Sequence, residues 1–231
     1  MACCCPVSRP SPAGRTRHQP CEDLDRHRHD YAFVAVVLAG GYVEAGDTGR
    51  HRVEPGDALF HRAFEHHLDR FDARGAEVLV LPLAREWRSP TRGRVADPDA
   101  LARCAERDGA EAGQRLMETL TAAAPAPIDW PDLLARDLRG DPSLCLGDWA
   151  RARGLHLASL SRGFRQLYGV TPQGFRLAQR VHRAIEALAR SPEPLGALAL
   201  DCGFADQAHM TRAVASLTGV TPAALRRAMT G

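Results

Sequence analysis

The chain has 231 residues, is 45% hydrophobic and 25% charged, and carries a formal net charge of +2. That length accommodates one large domain or two of ~100 residues each, and the composition is globular rather than disordered or fibrous. No apolar run reaches the ~18 residues that a membrane-spanning helix requires.

The opening stretch "MACCCPVSRPSPAGRTRHQP" lacks the apolar core of a secretory signal, so residues 1–22 read as a disordered tail or as the product of a misassigned start codon. Seven cysteines, Cys3, Cys4, Cys5, Cys21, Cys104, Cys145 and Cys202, include no CxxC pair. Their scatter suits a reducing cytoplasm better than a disulfide framework. The Cys3–Cys5 run is a candidate for metal or oxidant chemistry, although a flexible tail rarely assembles a complete ligand set. Residues 31–83 read as strands. "YAFVAVVL" is β-rich, "DALFHR" and "EVLVLPL" are further short strands, and "GG", "AGDTG" and "EPGD" supply turns. Such spacing predicts a sandwich or small barrel. From Asp99 the pattern turns helical through Thr121, "AAAPAPIDWP" interrupts it, and "DLLARDL" forms a short helix. "GDP" at 140–142 is a stop and marks a domain boundary.

Charge divides unevenly across that boundary. Residues 142–231 carry 11 arginines against 5 acids, +6, and residues 1–141 carry 19 against 23, −4. A basic half points to nucleic acid. All 30 basic residues are arginine, which marks a GC-rich genome more than a function. The basic half also repeats. "RGFRQLYGVTPQGFR" (162–176) and "RAVASLTGVTPAALR" (212–226) share Arg162/Arg212, Leu167/Leu217, the GVTP tetrads and Arg176/Arg226, so one structural unit is used twice. In each, a helix places Leu160, Phe164 and Leu167, or Met210, Val214 and Leu217, on one face. Gly169 and Gly219 close these helices. Thr171 and Thr221 cap the next ones, with Pro172 and Pro222 at the first helical position. "LGDWARARGL" and "LGALALDCGF" supply a preceding short helix and turn, which completes a helix-turn-helix. The outward stripes are then Ala158, Ser161, Arg162 and Arg165 in the first unit, and Ala208, Thr211, Arg212 and Ala215 in the second, with Gln207 beside the latter near the helix start. Arginine pairs bidentately with guanine and glutamine with adenine, and small residues allow close approach to the major groove. A solvated helix face explains one such stripe; two repeated stripes in a basic half favour DNA.

On these stretches, with the helix "RVHRAIEAL", residues 143–230 closely resemble the DNA-binding domain of AraC/XylS-type transcription regulators. The resemblance implies two helix-turn-helix units joined by a rigid helix near 172–190, each inserting one helix into successive major grooves. His156 and Leu157 stand where the family has Ser-Pro, which weakens the cap. Met210 and Val214 replace phenylalanines, and Gly163 loosens the first recognition helix. Less specifically, "HRHDYAFVAVVLAGG", "VEPGDALFHRAFEHHLDRF" and "AEVLVLPL" resemble the family's cupin-like sensor domain. In cupins an HxH pair and a later histidine hold a metal inside the barrel. Here the pair is His27/His29, two apart on a strand and so on one side, and the partner is His67 or His66. Asp30 is adjacent to the pair and Glu44 is far along the chain.

The expected architecture is α+β in two domains. Residues 1–22 form a tail, 23–96 a cupin-like β-barrel, 97–141 a helical linker offering a dimerisation surface, and 142–231 an all-α double helix-turn-helix domain. The expected function is a cytoplasmic, bacterial, sequence-specific transcription regulator and not an enzyme. Its partners are double-stranded DNA, a small-molecule effector near His27, His29 and His67, RNA polymerase and a second copy of the chain, with no membrane. No cofactor is required, although a divalent metal on the same three histidines fits. The alternative is a metal-dependent cupin enzyme, or a metal or redox sensor, fused to DNA-binding helices.

Overall fold

The computed structural model describes residues 13–83, 90–123, 129–141 and 143–230. The chain forms two compact units, residues 1–127 and 128–231.

Among its described residues, unit 1 is an antiparallel sheet with two helices. Its strands are β1 (Gly14–His18), β2 (Asp23–Arg28), β3 (Phe33–Gly46), β4 (Gly49–Val53), β5 (Asp57–His61), β6 (His66–Pro82) and β7 (Arg92–Arg94). The order is β1-β6-β3-β5-β7, with β2 also pairing β6 and β4 pairing β3. β3 and β6 run side by side from Phe33↔Pro82 to Gly46↔His67, and the register shifts between Val37 and Tyr42. There Gly40, at φ +72°, lies so close to Gly75 that an added Cβ would sit 1.9 Å from its carbonyl oxygen. Only glycine fits such an approach, and the two irregularities bend both strands. Side chains alternate across the bend. Phe33, Ala35, Val37, Tyr42, Leu59, Phe71 and Val78 form one inner core. Val34, Val36, Ala58, Phe60, Leu79 and Leu81 pack on the opposite face with Leu101, Ala102, Cys104, Ala112 and Leu116. The last five come from α1 (Pro98–Arg107) and α2 (Gly109–Thr119), each capped by an aspartate side chain, Asp97 and Asp108.

Three expectations change here. Among the described residues no pairing joins the sheet's edges, so the sheet is not a closed barrel. β1 falls within the stretch expected as a tail, and its five residues pair with Ala76–Val80 of β6; the Cys3–Cys5 run lies outside the described residues. The expected linker divides between the units: α1 and α2 spend their apolar stripe on the sheet of unit 1, and α3 (Trp130–Gly140) belongs to unit 2.

Unit 2 is helical: α3, α4 (Leu146–Arg151), α5 (Leu157–Tyr168), α6 (Pro172–Arg190), α7 (Leu195–Asp201), α8 (Gln207–Thr218) and α9 (Pro222–Thr230). α3 buries Leu134, Ala135 and Leu138 completely. Asp137 at its C-terminal turn accepts from Trp149 Nε1 of α4 at 2.8 Å, and Asp132 accepts from the buried Tyr168 hydroxyl of α5 at 2.9 Å. Moving the boundary from 142 back to 128 adds acids: unit 2 has 13 arginines against 9 acids, +4 rather than +6.

Candidate nucleic-acid interface and sensor cavity

In unit 2, α4 and α5 form one helix-turn-helix pair and α7 and α8 the other, with α6 between them. Gly169 and Gly219 end α5 and α8 in the left-handed conformation, at φ +67° and +77°. Thr171 caps α6 by accepting from Gly174 N, and Thr221 accepts from Ala224 N at the start of α9. α5 buries Leu160, Phe164 and Tyr168. Leu167, expected in that stripe, is only half-buried. Tyr168 takes the place because its ring stacks on Phe164 at 4.5 Å and its hydroxyl reaches Asp132. α8 buries Met210, Val214 and Leu217, as the spacing predicts.

The opposite faces carry the candidate readers. Ala158, Arg162 and Arg165 are exposed on α5 and Ser161 is half-buried; Gln207, Ala208 and Arg212 are exposed on α8 and Thr211 is half-buried. The two helix starts differ. Asp206 caps α8, accepting from His209 N at 2.6 Å, whereas His156 makes no side-chain cap on α5. Gly163 is no loose point: a Cβ there would lie 2.8 Å from the indole of Trp130, so the glycine makes room for α3.

In unit 1, His27, His29 and His67 line one cavity of about 190 Å³. β2 pairs β6 with His27 opposite His67, and the two rings lie 4.3 Å apart. His29, just past β2, lies 5.4 Å from His67 ring to ring. One donor atom from each of the three lies within 4.8 Å of the others. His66 is not among the lining residues; its Nδ1 faces Asp47 Oδ2 at 3.3 Å.

The cavity also holds residues that the sequence reading passed over or set aside. Glu44, His61 and Asp69 are buried in its wall. Phe33 pairs His61 across β3 and β5, with rings stacked at 4.4 Å. Glu44 pairs Asp69 across β3 and β6, and His61 Nε2 lies 3.4 Å from Glu44 Oε2. Alternation was the available signal: His61 is two residues from the inner Leu59, and Asp69 two from His67.

Burial governs the protonation of this group. It disfavours the charged imidazole, holding His29 at about 4 and His61 at about 3, and pushing His27 and His67 below the ordinary histidine value. Burial also pushes Asp69 up to about 7. It raises the Glu44 carboxyl well above the ordinary range, helped by Asp69 and Glu65. His29 Nδ1, His67 Nδ1 and Asp69 Oδ1 are buried without a hydrogen-bond partner. Neutral imidazoles present lone pairs, so the wall can donate to a metal or accept from a polar ligand.

Residues 149–228 match the family described as a helix-turn-helix domain. No curated protein matches the chain in sequence. Among solved structures, a Chromobacterium violaceum transcriptional regulator of the AraC-type DNA-binding-domain-containing proteins is 23% identical over 42% of this chain and 88% of its own, at a TM-score of 0.39. Unsaturated-fatty-acid-bound ToxT from Vibrio cholerae is 10% identical over 95% of both chains, at 0.45. The C-terminal domain of AraT, a response regulator from Geobacillus stearothermophilus, is 24% identical over 41% of this chain and 84% of its own, at 0.37.

Proposed function

We propose that the helix-turn-helix domain matched over residues 149–228 is of the AraC type, and that the chain is a sequence-specific, DNA-binding transcription regulator whose unit 1 senses an effector. The observation that carries the reading is the repeated placement of an exposed arginine, Arg162 or Arg212, on the outer face of a helix whose inner face is fully committed to the core. Ala158, Ser161, Arg162 and Arg165 would face one major groove, and Gln207, Ala208, Thr211 and Arg212 the next. α6 would set their spacing at about one turn of DNA, ~34 Å. Selection of binding sites from random duplex DNA tests this. Two short conserved elements about a turn apart are expected; recovery of no shared sequence would remove the reader roles.

The effector cavity would be the one around His27, His29 and His67. Its wall favours particular ligands. Glu44 and Asp69 line it and no arginine does, so no cationic side chain in the lining would neutralise an effector carboxylate, whereas the two carboxyls can hydrogen-bond a hydroxyl or an amine, or give up their protons to a metal cation. Among the described residues no helix is long and apolar enough to cross a membrane; a cytoplasmic location follows from the proposed regulator role. A dimer through α1 and α2 would use their outer, polar face, because the apolar one covers the sheet. RNA polymerase contact follows from the regulator role alone. The enzyme reading is favoured by nothing beyond the cavity itself, and a turnover assay on metal-loaded protein decides it.

A further inference from the structure

The candidate metal set His27, His29 and His67 contains no acid. A second set overlaps it: Glu44, His61 and His67, on β3, β5 and β6, with one donor atom from each within 4.8 Å of the others. The side chains of these three residues are 3 to 6% exposed. An isolated buried carboxylate is costly unless it is paired or bound to a cation, and among the residues lining the cavity there is no arginine to pair Glu44. His67 Nδ1 and Asp69 Oδ1 are buried beside the set without hydrogen-bond partners. Two imidazoles and a carboxylate converging from three rigid strands form a donor set that suits divalent first-row transition metals, and a carboxylate offsets the ion's charge as a third imidazole cannot.

We propose that one divalent transition-metal ion binds unit 1 on Glu44, His61 and His67, with His27 and His29 outside its immediate ligands, and that this ion is the signal the cavity senses. The binding claim stands on the cavity alone; the signalling claim rests on the regulator reading above. Asp69, opposite Glu44 and two residues from His67, is placed to orient these ligands.

The full chain, stripped with chelator, is titrated with Co²⁺ and followed by its visible ligand-field absorption, with metal content measured by mass spectrometry. One equivalent is expected. Glu44→Gln and His61→Gln should each weaken uptake by about 100-fold or more, and the double variant His27→Gln/His29→Gln by less than about tenfold. Absence of stoichiometric uptake overturns the site, and so does loss in the double variant with Glu44→Gln unaffected. Should Glu44→Gln or His61→Gln fail to fold, histidine ring ¹⁵N shifts of the wild type on adding Zn²⁺ decide between the sets. Movement of His61 and His67 supports the proposal, and movement of His27 and His29 with His61 still overturns it. DNA affinity is read in parallel. A Co²⁺-dependent change in wild type, absent in Glu44→Gln, supports signalling. Uptake without any change overturns the signalling claim and leaves the site. Uptake by a chain that binds no DNA sequence selectively overturns the regulator reading instead.

Discussion

Gly163 of α5 lies against Trp130 of α3 so closely that a Cβ at 163 would stand 2.8 Å from the indole Cζ2. Alanine in a helix interior is worth ~1 kcal/mol over glycine, but crowding a packed contact costs ~1–3 kcal/mol. Gly163→Ala is therefore expected to destabilise unit 2, against its helix propensity. Urea denaturation measures it; a gain in stability would show that α3 yields easily.

The same packing makes α3 indispensable. A fragment of residues 142–231 lacks the helix that buries Leu134 and Leu138, and full burial of each such side chain contributes ~1.5–3 kcal/mol. Against a net domain stability of ~5–15 kcal/mol, that loss with the Asp132 and Asp137 hydrogen bonds should leave 142–231 unfolded or molten. Residues 129–231 should fold and bind DNA, with affinity falling steeply with salt as counterions are released. Heteronuclear NMR of the two fragments checks the folding contrast, and equal dispersion in both would refute it.

Tyr168→Phe removes the hydroxyl that donates to Asp132 and leaves Asp132 Oδ1 without that bond in a buried setting. A loss of ~1–3 kcal/mol is expected, with unchanged site preference, because Tyr168 lies on the inner face of α5. Altered preference would mean that α5 shifts when the bond is lost.

Much of unit 2 was legible because its signals are local. Glycine at a helix end, threonine then proline at a helix start, and apolar residues three and four apart each act within one turn of chain, and the GVTP repeat doubled them. What escaped was tertiary. "DLLARDL" reads as a helix, but nothing local says that it packs on α5 and α6 rather than on the sheet. Gly163 reads as a weakness until Trp130 is placed beside it. In unit 1 the HxH pair is visible in sequence, whereas Glu44 and His61 reach the same cavity only through strand register. The bend at Gly40 and Gly75 shapes that register, and those irregularities cannot be counted from an apolar run alone.

Arg162→Ala and Arg212→Ala should each relax preference at a different base pair, with a loss of ~1–3 kcal/mol of discrimination if each guanidinium reads a base bidentately. A phosphate-contacting arginine would instead weaken all sequences alike. Site selection with each variant separates these outcomes, and unchanged preference in both would end the two-reader account.

Substituting His27, His29 and His67 together with glutamine should abolish the effector response and spare DNA binding by unit 2. Promoter regulation identical to wild type would place the sensor site elsewhere.

The cavity should also give the metal-free chain a stability maximum near neutral pH. His29 and His61 titrate at about 4 and about 3 in the folded protein, and His27 and His67 are lowered too, against ~6.5 for a free imidazole. As pH falls below ~6.5 the unfolded chain takes up more protons on these four residues than the folded chain does, so stability is lost on the acid side. Asp69 and Glu44 act with the opposite sign. Asp69 titrates at about 7 when folded, and Glu44 is raised as well, so their contribution is fully present at low pH and is lost as pH rises through the folded values. Below ~6.5 the imidazoles make stability climb with pH, Asp69 opposes that climb between ~4 and about 7, and above ~7, where the histidines and Asp69 no longer differ between the two states, the raised Glu44 carboxyl carries the decline. Scanning calorimetry of chelator-treated protein from pH 5 to 8 reads the unit 1 transition directly. Asp69→Asn should steepen the acid limb and leave the decline above pH ~7 in place, whereas a maximum at or below pH 5 would mean that the histidines are protonated in the folded cavity.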